Sequence, residues 1–128
     1  MTFEERADKA AQLKESGYNC CQAVVAALSD LTEADTDKLL QLASGFALGI
    51  GNMEGTCGAL VGASMIAGLV TGGRGTVRCT WRISEAFRDK SGSITCKELK
   101  GFPNGKMLST CEQCVRNAVY AFGEVMGK

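Results

Sequence analysis

Apolar residues recur at helical spacing along most of the chain. They stand three or four residues apart, as on the buried face of an amphipathic helix. Strict alternation of apolar and polar residues, which is typical of strands, is rare, and the 128 residues include one proline. This length suits one domain with a core and is too short for two. We therefore predict one all-α domain over residues 1–128, a compact bundle of about five to seven helices.

Turn residues divide this pattern into helices. A first helix is predicted over 3–15, ended by Gly17, and a second over 20–29. A third begins after Thr32 and carries Leu39, Leu40, Ala43, Phe46 and Ala47. A fifth spans 77–90, with an inward stripe of Val77, Trp81, Ser84 and Phe87. A short helix over 96–100, a turn at FPNG (102–105) and a last helix over 111–126 complete the chain.

The fourth predicted helix is unusual because small residues dominate it. It opens at Cys57 and repeats Gly58 and Gly62, and then Ala59, Ala63 and Ala67, at four-residue spacing. Such spacing lets neighbouring helices approach closely, so we expect this helix to be the buried centre of the bundle. The uncharged run over 57–72 is shorter than the roughly 20 residues of a membrane span, so a span is the weaker interpretation.

The amino-acid composition excludes several classes of chemistry for this chain. Lys plus Arg and Asp plus Glu both number 14, so no net charge attracts nucleic acid or an anionic membrane. Histidine is absent, which excludes histidine-based acid–base catalysis and His-ligated metals. The first 17 residues are charged and lack an apolar signal core, so we expect a cytoplasmic protein with reduced thiols. The seven cysteines form an odd set, which argues against a fully paired disulfide framework.

Four of the seven cysteines share one local position. They follow Asn19, Thr56, Thr95 and Thr110, each a preferred N-cap residue, and are predicted to be the first residues inside their helices: Cys20, Cys57, Cys96 and Cys111. Three of the four tetrapeptides also place Gln or Glu three positions after the cap, the capping-box pattern. The positive end of a helix dipole stabilises a thiolate. A lone cysteine is more often core packing, but four at one position indicate a site.

An up-down bundle allows these four cysteines to meet at one end. The other three cysteines fit this arrangement less well. Cys79 belongs at the opposite end, and Cys21 points about 100° away from Cys20, so both are predicted to be structural. Cys114 lies one turn after Cys111 and has a smaller chance of joining the site. Cys57 is our choice for the attacking thiol, or for the ligand that anchors a cluster, because Gly58 has no side chain to shield its sulfur.

The same four cysteines carry a family resemblance. The chain resembles the redox-active proteins named for the pattern C_GCAxxG_C_C, with Cys57-Gly58-Ala59-Leu60-Val61-Gly62 as the central motif C-G-A-x-x-G. Cys20 matches the upstream N-C-x-x-A-V, Cys96 the third position, and Cys111 the fourth, in C-x-x-x-V-x-x-A. The resemblance covers roughly residues 17–120. It implies a small helical protein with a redox role and supplies no substrate.

Three functions remain open at this point. Cys20, Cys57, Cys96 and Cys111 either cycle between dithiol and disulfide or ligate an iron–sulfur cluster for electron transfer. Four cysteines also suit structural zinc, although their scattered spacing is unlike common zinc sites. Alternatively, the chain is a small-molecule-binding helical module with core cysteines. We expect an unidentified redox partner, no nucleic acid and no membrane. Small size and the Gly/Ala helix faces are compatible with a homodimer.

Overall fold

The computed structural model describes residues 1–102 and 105–127. Across them the chain forms seven α-helices: α1 (Phe3–Glu15), α2 (Cys20–Leu28), α3 (Thr36–Ala43), α4 (Gly58–Thr71), α5 (Thr76–Ser91), α6 (Cys96–Lys100) and α7 (Cys111–Met126). The same residues contain no strand, only an isolated bridge between Thr56 and Thr95. The predicted all-α class is confirmed. Pro103 and Asn104, in the predicted FPNG turn, lie outside the described residues.

Helix α2 lies at the centre of the bundle, where it contacts α1, α3, α4 and α7. Seven of its nine residues are buried, against seven of the fourteen in α4. The expectation that α4 would be the most buried helix is therefore wrong. Its small residues serve close packing against α2 instead: a Cβ at Gly62 would stand 2.8 Å from the carbonyl oxygen of Cys21.

The predictions for two helices are wrong in part. Helix α3 ends at Ala43, so Phe46 and Ala47, which were predicted to belong to it, lie beyond its end. On α5 the inward positions are Ile83, Phe87 and Ser91, whereas the side chains of Val77 and Trp81, two members of the predicted stripe, are 82% and 65% exposed. The predicted stripe satisfies the helical period, but the period alone does not say which side of a helix meets the core.

A left-handed turn connects α3 to α4. Leu48, Gly49, Ile50 and Gly51 all have positive φ, between 55° and 86°. A non-glycine residue in this region costs about 1–2 kcal/mol, and a β-branched residue such as Ile50 is rare there. The turn brings Gly49 so close to α6 that a Cβ on it would lie 2.8 Å from the Cβ of Cys96.

No helix of the described segments combines the length and apolar character that crossing a membrane requires. The uncharged run over 57–72 instead forms α4, which packs against α2, α5 and α7. Its end is set by Gly72, whose φ of 67° is left-handed, as is common for a glycine after a helix.

Candidate functional site

A backbone bridge joins the starts of α4 and α6. The Cys57 N–H donates to the carbonyl of Ile94 at 2.8 Å, and the Cys96 N–H donates to the carbonyl of Gly55 at 3.0 Å. These two hydrogen bonds hold segments 37 or more residues apart in sequence side by side. As a result, Cys57 and Cys96 sit at neighbouring helix starts.

The starts of α2 and α7 complete the arrangement. Cys20 and Cys111 are the first residues of these two helices, which pack on each other. All four cysteines selected from the sequence line one cavity of about 20 Å³, and Cys114 lines it with them. The remaining lining residues are Gly58, Leu99, Lys100 and Ser109. Cys111 is the half-exposed member, whereas the other four cysteines are buried.

Cys21 and Cys79 do not line this cavity. Cys21 is fully buried in α2, where its thiol donates to the sulfur of Met65 at 3.7 Å. Burial raises its pKa to about 12, so this thiol stays protonated and unreactive at neutral pH. Cys79 is half-exposed on α5.

Lys100 is the residue that sequence reasoning missed. Its Nζ donates to the Cys111 sulfur at 3.1 Å, and this contact raises the pKa of the lysine. Lys100 therefore places a permanent positive charge beside the half-exposed thiol. A signal was present in the sequence, because Lys100 follows Cys96 by four residues and so shares its face of α6.

Cys20 and Cys111 form a thiol–thiolate pair. The neighbouring Cys20 thiol, together with Lys100, lowers the pKa of Cys111 to about 5 against the opposing effect of burial. The Cys111 sulfur and burial in turn raise the pKa of Cys20. At neutral pH the pair therefore holds one proton, on Cys20, and one negative charge, on Cys111.

A second pair lies deeper in the cavity. The neighbouring Cys57 thiol, with help from Ser109, lowers the pKa of Cys114. The neighbouring Cys114 sulfur and burial raise the pKa of Cys57. The surroundings of Cys57 therefore disfavour its thiolate, whereas those of Cys111 favour the thiolate. Burial also raises the pKa of Cys96.

Two of the four helix starts differ from the prediction. Cys57 is the N-cap of α4 and not its first internal residue, and Thr56 does not cap this helix. Thr95 makes no side-chain cap at α6; Glu98 accepts instead from the hydroxyl of Ser93 at 2.5 Å. The other two caps form as predicted, with Asn19 and Thr110 accepting from the N–H groups of Gln22 and Gln113.

Four thiolates suit an iron–sulfur cluster or zinc in donor chemistry. The cavity between the sulfurs, about 20 Å³, has room for roughly one water molecule, and Lys100 already brings a positive charge to it. A multi-iron cluster would therefore need the sulfurs to move apart. Within residues 1–102 and 105–127, no three His, Cys, Asp or Glu side chains are grouped so as to hold a metal ion.

The fold and the cavity define a small helical protein with a polarised cluster of cysteines. A family model described as "Putative redox-active protein (C_GCAxxG_C_C)" matches residues 18–125. The match spans most of the chain, so the protein belongs to this redox-active, cysteine-rich family. Searches of curated proteins and of solved structures found no match.

Proposed function

We propose that this protein is a thiol–disulfide redox protein in which Cys111 is the attacking thiolate and Cys20 the resolving thiol. The observation that carries the proposal is the Lys100 ammonium, 3.1 Å from the half-exposed Cys111 sulfur. A cation at this distance stabilises the thiolate, which is the reactive form. Cys20 supports the assignment because it lines the same cavity as Cys111 and the Cys111 sulfur raises its pKa.

The reaction is a two-step exchange with a disulfide substrate, R–S–S–R′. The Cys111 thiolate attacks one substrate sulfur, forms a mixed disulfide with R–S and releases R′–S⁻. Cys20 then loses its proton, which neutralises the released thiolate, and attacks the Cys111 sulfur. The products are a Cys20–Cys111 disulfide, R–S⁻ and R′–SH. The substrate gains two electrons and the protein loses two.

The buried residues have supporting roles in this proposal. Cys57 and Cys114 line the same cavity and are a second pair of thiols, able to pass the disulfide inward by the same exchange. Cys96 packs beside Cys57 at the bridged helix starts. A thiol-containing redox partner must return the protein to its reduced form, and the reducing cytoplasm is the compartment that supplies one. Nucleic acid and membrane lipid have no part in this cycle.

The test uses reduced protein, prepared without oxygen, and glutathione disulfide as the probe. Brief exposure followed by alkylation and peptide mass spectrometry should show Cys20 linked to Cys111. The Cys20→Ser variant should retain glutathione on Cys111, because the resolving thiol is gone. The Cys111→Ser variant should react much more slowly, and Cys79→Ser, as the matched control, at the wild-type rate.

Two results would overturn the proposal. One is that Cys111→Ser reacts as fast as wild type, with glutathione at Cys79 or elsewhere. The other is that anaerobically purified protein is brown, or carries stoichiometric iron or zinc that is lost when Cys20, Cys57, Cys96 and Cys111 are replaced. That result would favour electron transfer by a cluster, or a structural metal, over thiol exchange.

A further inference from the structure

Helix α5 turns an apolar ridge toward solvent. Val77 and Trp81 are 82% and 65% exposed; contiguous exposed apolar patches mark interaction sites, and tryptophan is enriched among the residues that dominate binding energy. Grooves of about 440 Å³ and 480 Å³ lie on the two sides of Trp81. The first groove is mostly apolar, with Leu60, Val61 and Ile94 in its walls.

A charged stripe runs beside this ridge and changes sign halfway along the helix. Arg78, Arg82, Glu85 and Asp89 are four, three and four residues apart, which places them within about 60° of one another around the helix. The stripe is positive toward the start of α5 and negative toward its end. In the described part of the chain, Arg78, Arg82 and Asp89 have no ion-pair partner, and Glu85 pairs only with Arg88 of its own helix.

If α5 of a second copy lies antiparallel to α5 of the first, the positive half of each stripe faces the negative half of the other. A two-fold axis passing between positions 83 and 84 places Arg82 opposite Glu85 of the other copy, and Arg78 opposite Asp89. Each pair then occurs twice, as two-fold symmetry requires. The two Trp81 side chains lie on the same side of the helix pair, about 7.5 Å apart along its axis, and together cover the apolar grooves.

We propose that α5 is the interface of a two-fold homodimer, with Trp81 at its centre and the Arg82–Glu85 and Arg78–Asp89 pairs along its edge. A uniformly acidic partner fits less well, because Glu85 and Asp89 would repel it. The Gly/Ala faces that first suggested a dimer are not free for this role, since Gly62 packs on α2. The proposal is independent of the thiol chemistry of the cavity.

The test is sedimentation equilibrium of the reduced protein over a range of concentrations, with circular dichroism to verify folding. Wild type should be a dimer. Arg82→Glu and Glu85→Arg should each weaken it by about tenfold or more, because each places like charges together at two symmetric positions. The double variant Arg82→Glu/Glu85→Arg should recover an affinity close to wild type, because the charges are again opposite. The control is Lys9→Glu, at an exposed position of α1, which should leave the dimer intact.

Recovery in the double variant is the decisive readout, because a variant that merely disturbs α5 would not regain affinity from a second charge reversal. Trp81→Ser should also give a folded monomer. A wild type that stays monomeric at all concentrations would overturn the proposal. A wild-type dimer whose affinity is unchanged by both single reversals, or is weakened further in the double variant, would overturn it equally.

Discussion

The five cysteines of the cavity differ in charge because their surroundings differ. Cys111 is half-exposed and beside Lys100, whereas Cys57 is buried beside Cys114, and both burial and Cys114 raise its pKa. Both stand at the start of a long helix, so the helix dipole favours both thiolates alike. At the scale of single residues, burial and the nearest neighbour therefore decide which sulfur is favoured as a thiolate.

Replacing Lys100 with Met should make Cys111 a weaker nucleophile in mildly acidic solution. The pKa of Cys111 is lowered to about 5, and losing the adjacent cation should raise it by about one unit or more. The midpoint of Cys111 alkylation by iodoacetamide against pH, followed by peptide mass spectrometry, measures this shift.

Lys97→Met is the matched control, because Lys97 lies on the same helix but pairs with Glu54 outside the cavity. It should leave the midpoint unchanged. An unchanged midpoint in Lys100→Met as well would mean that the contact between Lys100 and Cys111 does not set thiolate reactivity.

Cys21 should make the protein less stable in alkali. Its folded-state pKa is about 12, against about 8.5 for a free thiol. At pH values below the thiol pKa of the unfolded state, Cys21 is protonated in both the folded and the unfolded protein, so the free energy of unfolding does not change through this group. As the pH rises from there toward 12, the unfolded state releases a proton that the folded state keeps, and the free energy of unfolding falls by up to about 1.4 kcal/mol per pH unit.

The Cys21→Ala variant should therefore lose less stability than wild type between pH 8 and pH 10, about the range over which an ordinary thiol ionises. Urea unfolding of reduced protein at both values measures the difference. Val25→Ala, a buried neighbour without a titratable group, is the control and should show the wild-type dependence on pH. Equal loss in Cys21→Ala and Val25→Ala would contradict the assignment.

At the scale of elements, the contact between α2 and α4 positions two of the cysteine-bearing helix starts. Gly62 permits this approach, since a side chain there would meet the backbone of Cys21 at 2.8 Å. Gly68, nearly two turns later on α4, has free space: a Cβ there would lie 4.0 Å from the Thr76 methyl group. The two glycines share a helix and differ in what they face.

Alanine at these two positions should therefore have opposite effects. Gly68→Ala should stabilise the protein by about 0.5–1 kcal/mol, the usual gain in helix propensity. Gly62→Ala should destabilise it by about 1–3 kcal/mol, because α2 must move away from the added methyl group. Thermal and urea unfolding of both variants check this, and a stabilised Gly62→Ala would show that the two helices are not held together at this point.

At the scale of the whole molecule, the cavity joins parts of the chain that are far apart in sequence. Cys20 begins α2 and Cys111 begins α7, so a disulfide between them would close a loop over most of the domain. Such a cross-link restricts the unfolded chain and typically stabilises a protein by about 2–4 kcal/mol. The proposed redox cycle should therefore alternate between a less stable and a more stable form.

Unfolding by urea should accordingly require more denaturant after oxidation by glutathione disulfide than before it. The Cys20→Ser variant should show no such gain, and Cys79→Ser should show the full gain. Oxidised wild type no more stable than the reduced protein would indicate that oxidation does not join α2 to α7.

Local sequence was sufficient for the helices and for four of the five cysteines that line the cavity. Apolar spacing and turn glycines predicted every long helix, because these signals act within a few residues. Asn19 and Thr110 form the caps expected of them, and the cysteines that follow all four predicted caps line one cavity. A cap residue and the cysteine after it are adjacent in sequence, so they can be identified without knowing how the helices pack.

Tertiary structure decided the rest. Whether Val77 and Trp81 face the core or solvent depends on which side of α5 meets α4 and α7, and the helical period is the same in either case. The charge state of each sulfur depends on partners distant in sequence, Cys20 and Lys100 for Cys111, and Cys114 for Cys57. Sequence by itself thus determined which segments are helical and which thiols stand at their starts. Only the fold determined which thiol carries the charge, because hydrogen bonds and burial act through space.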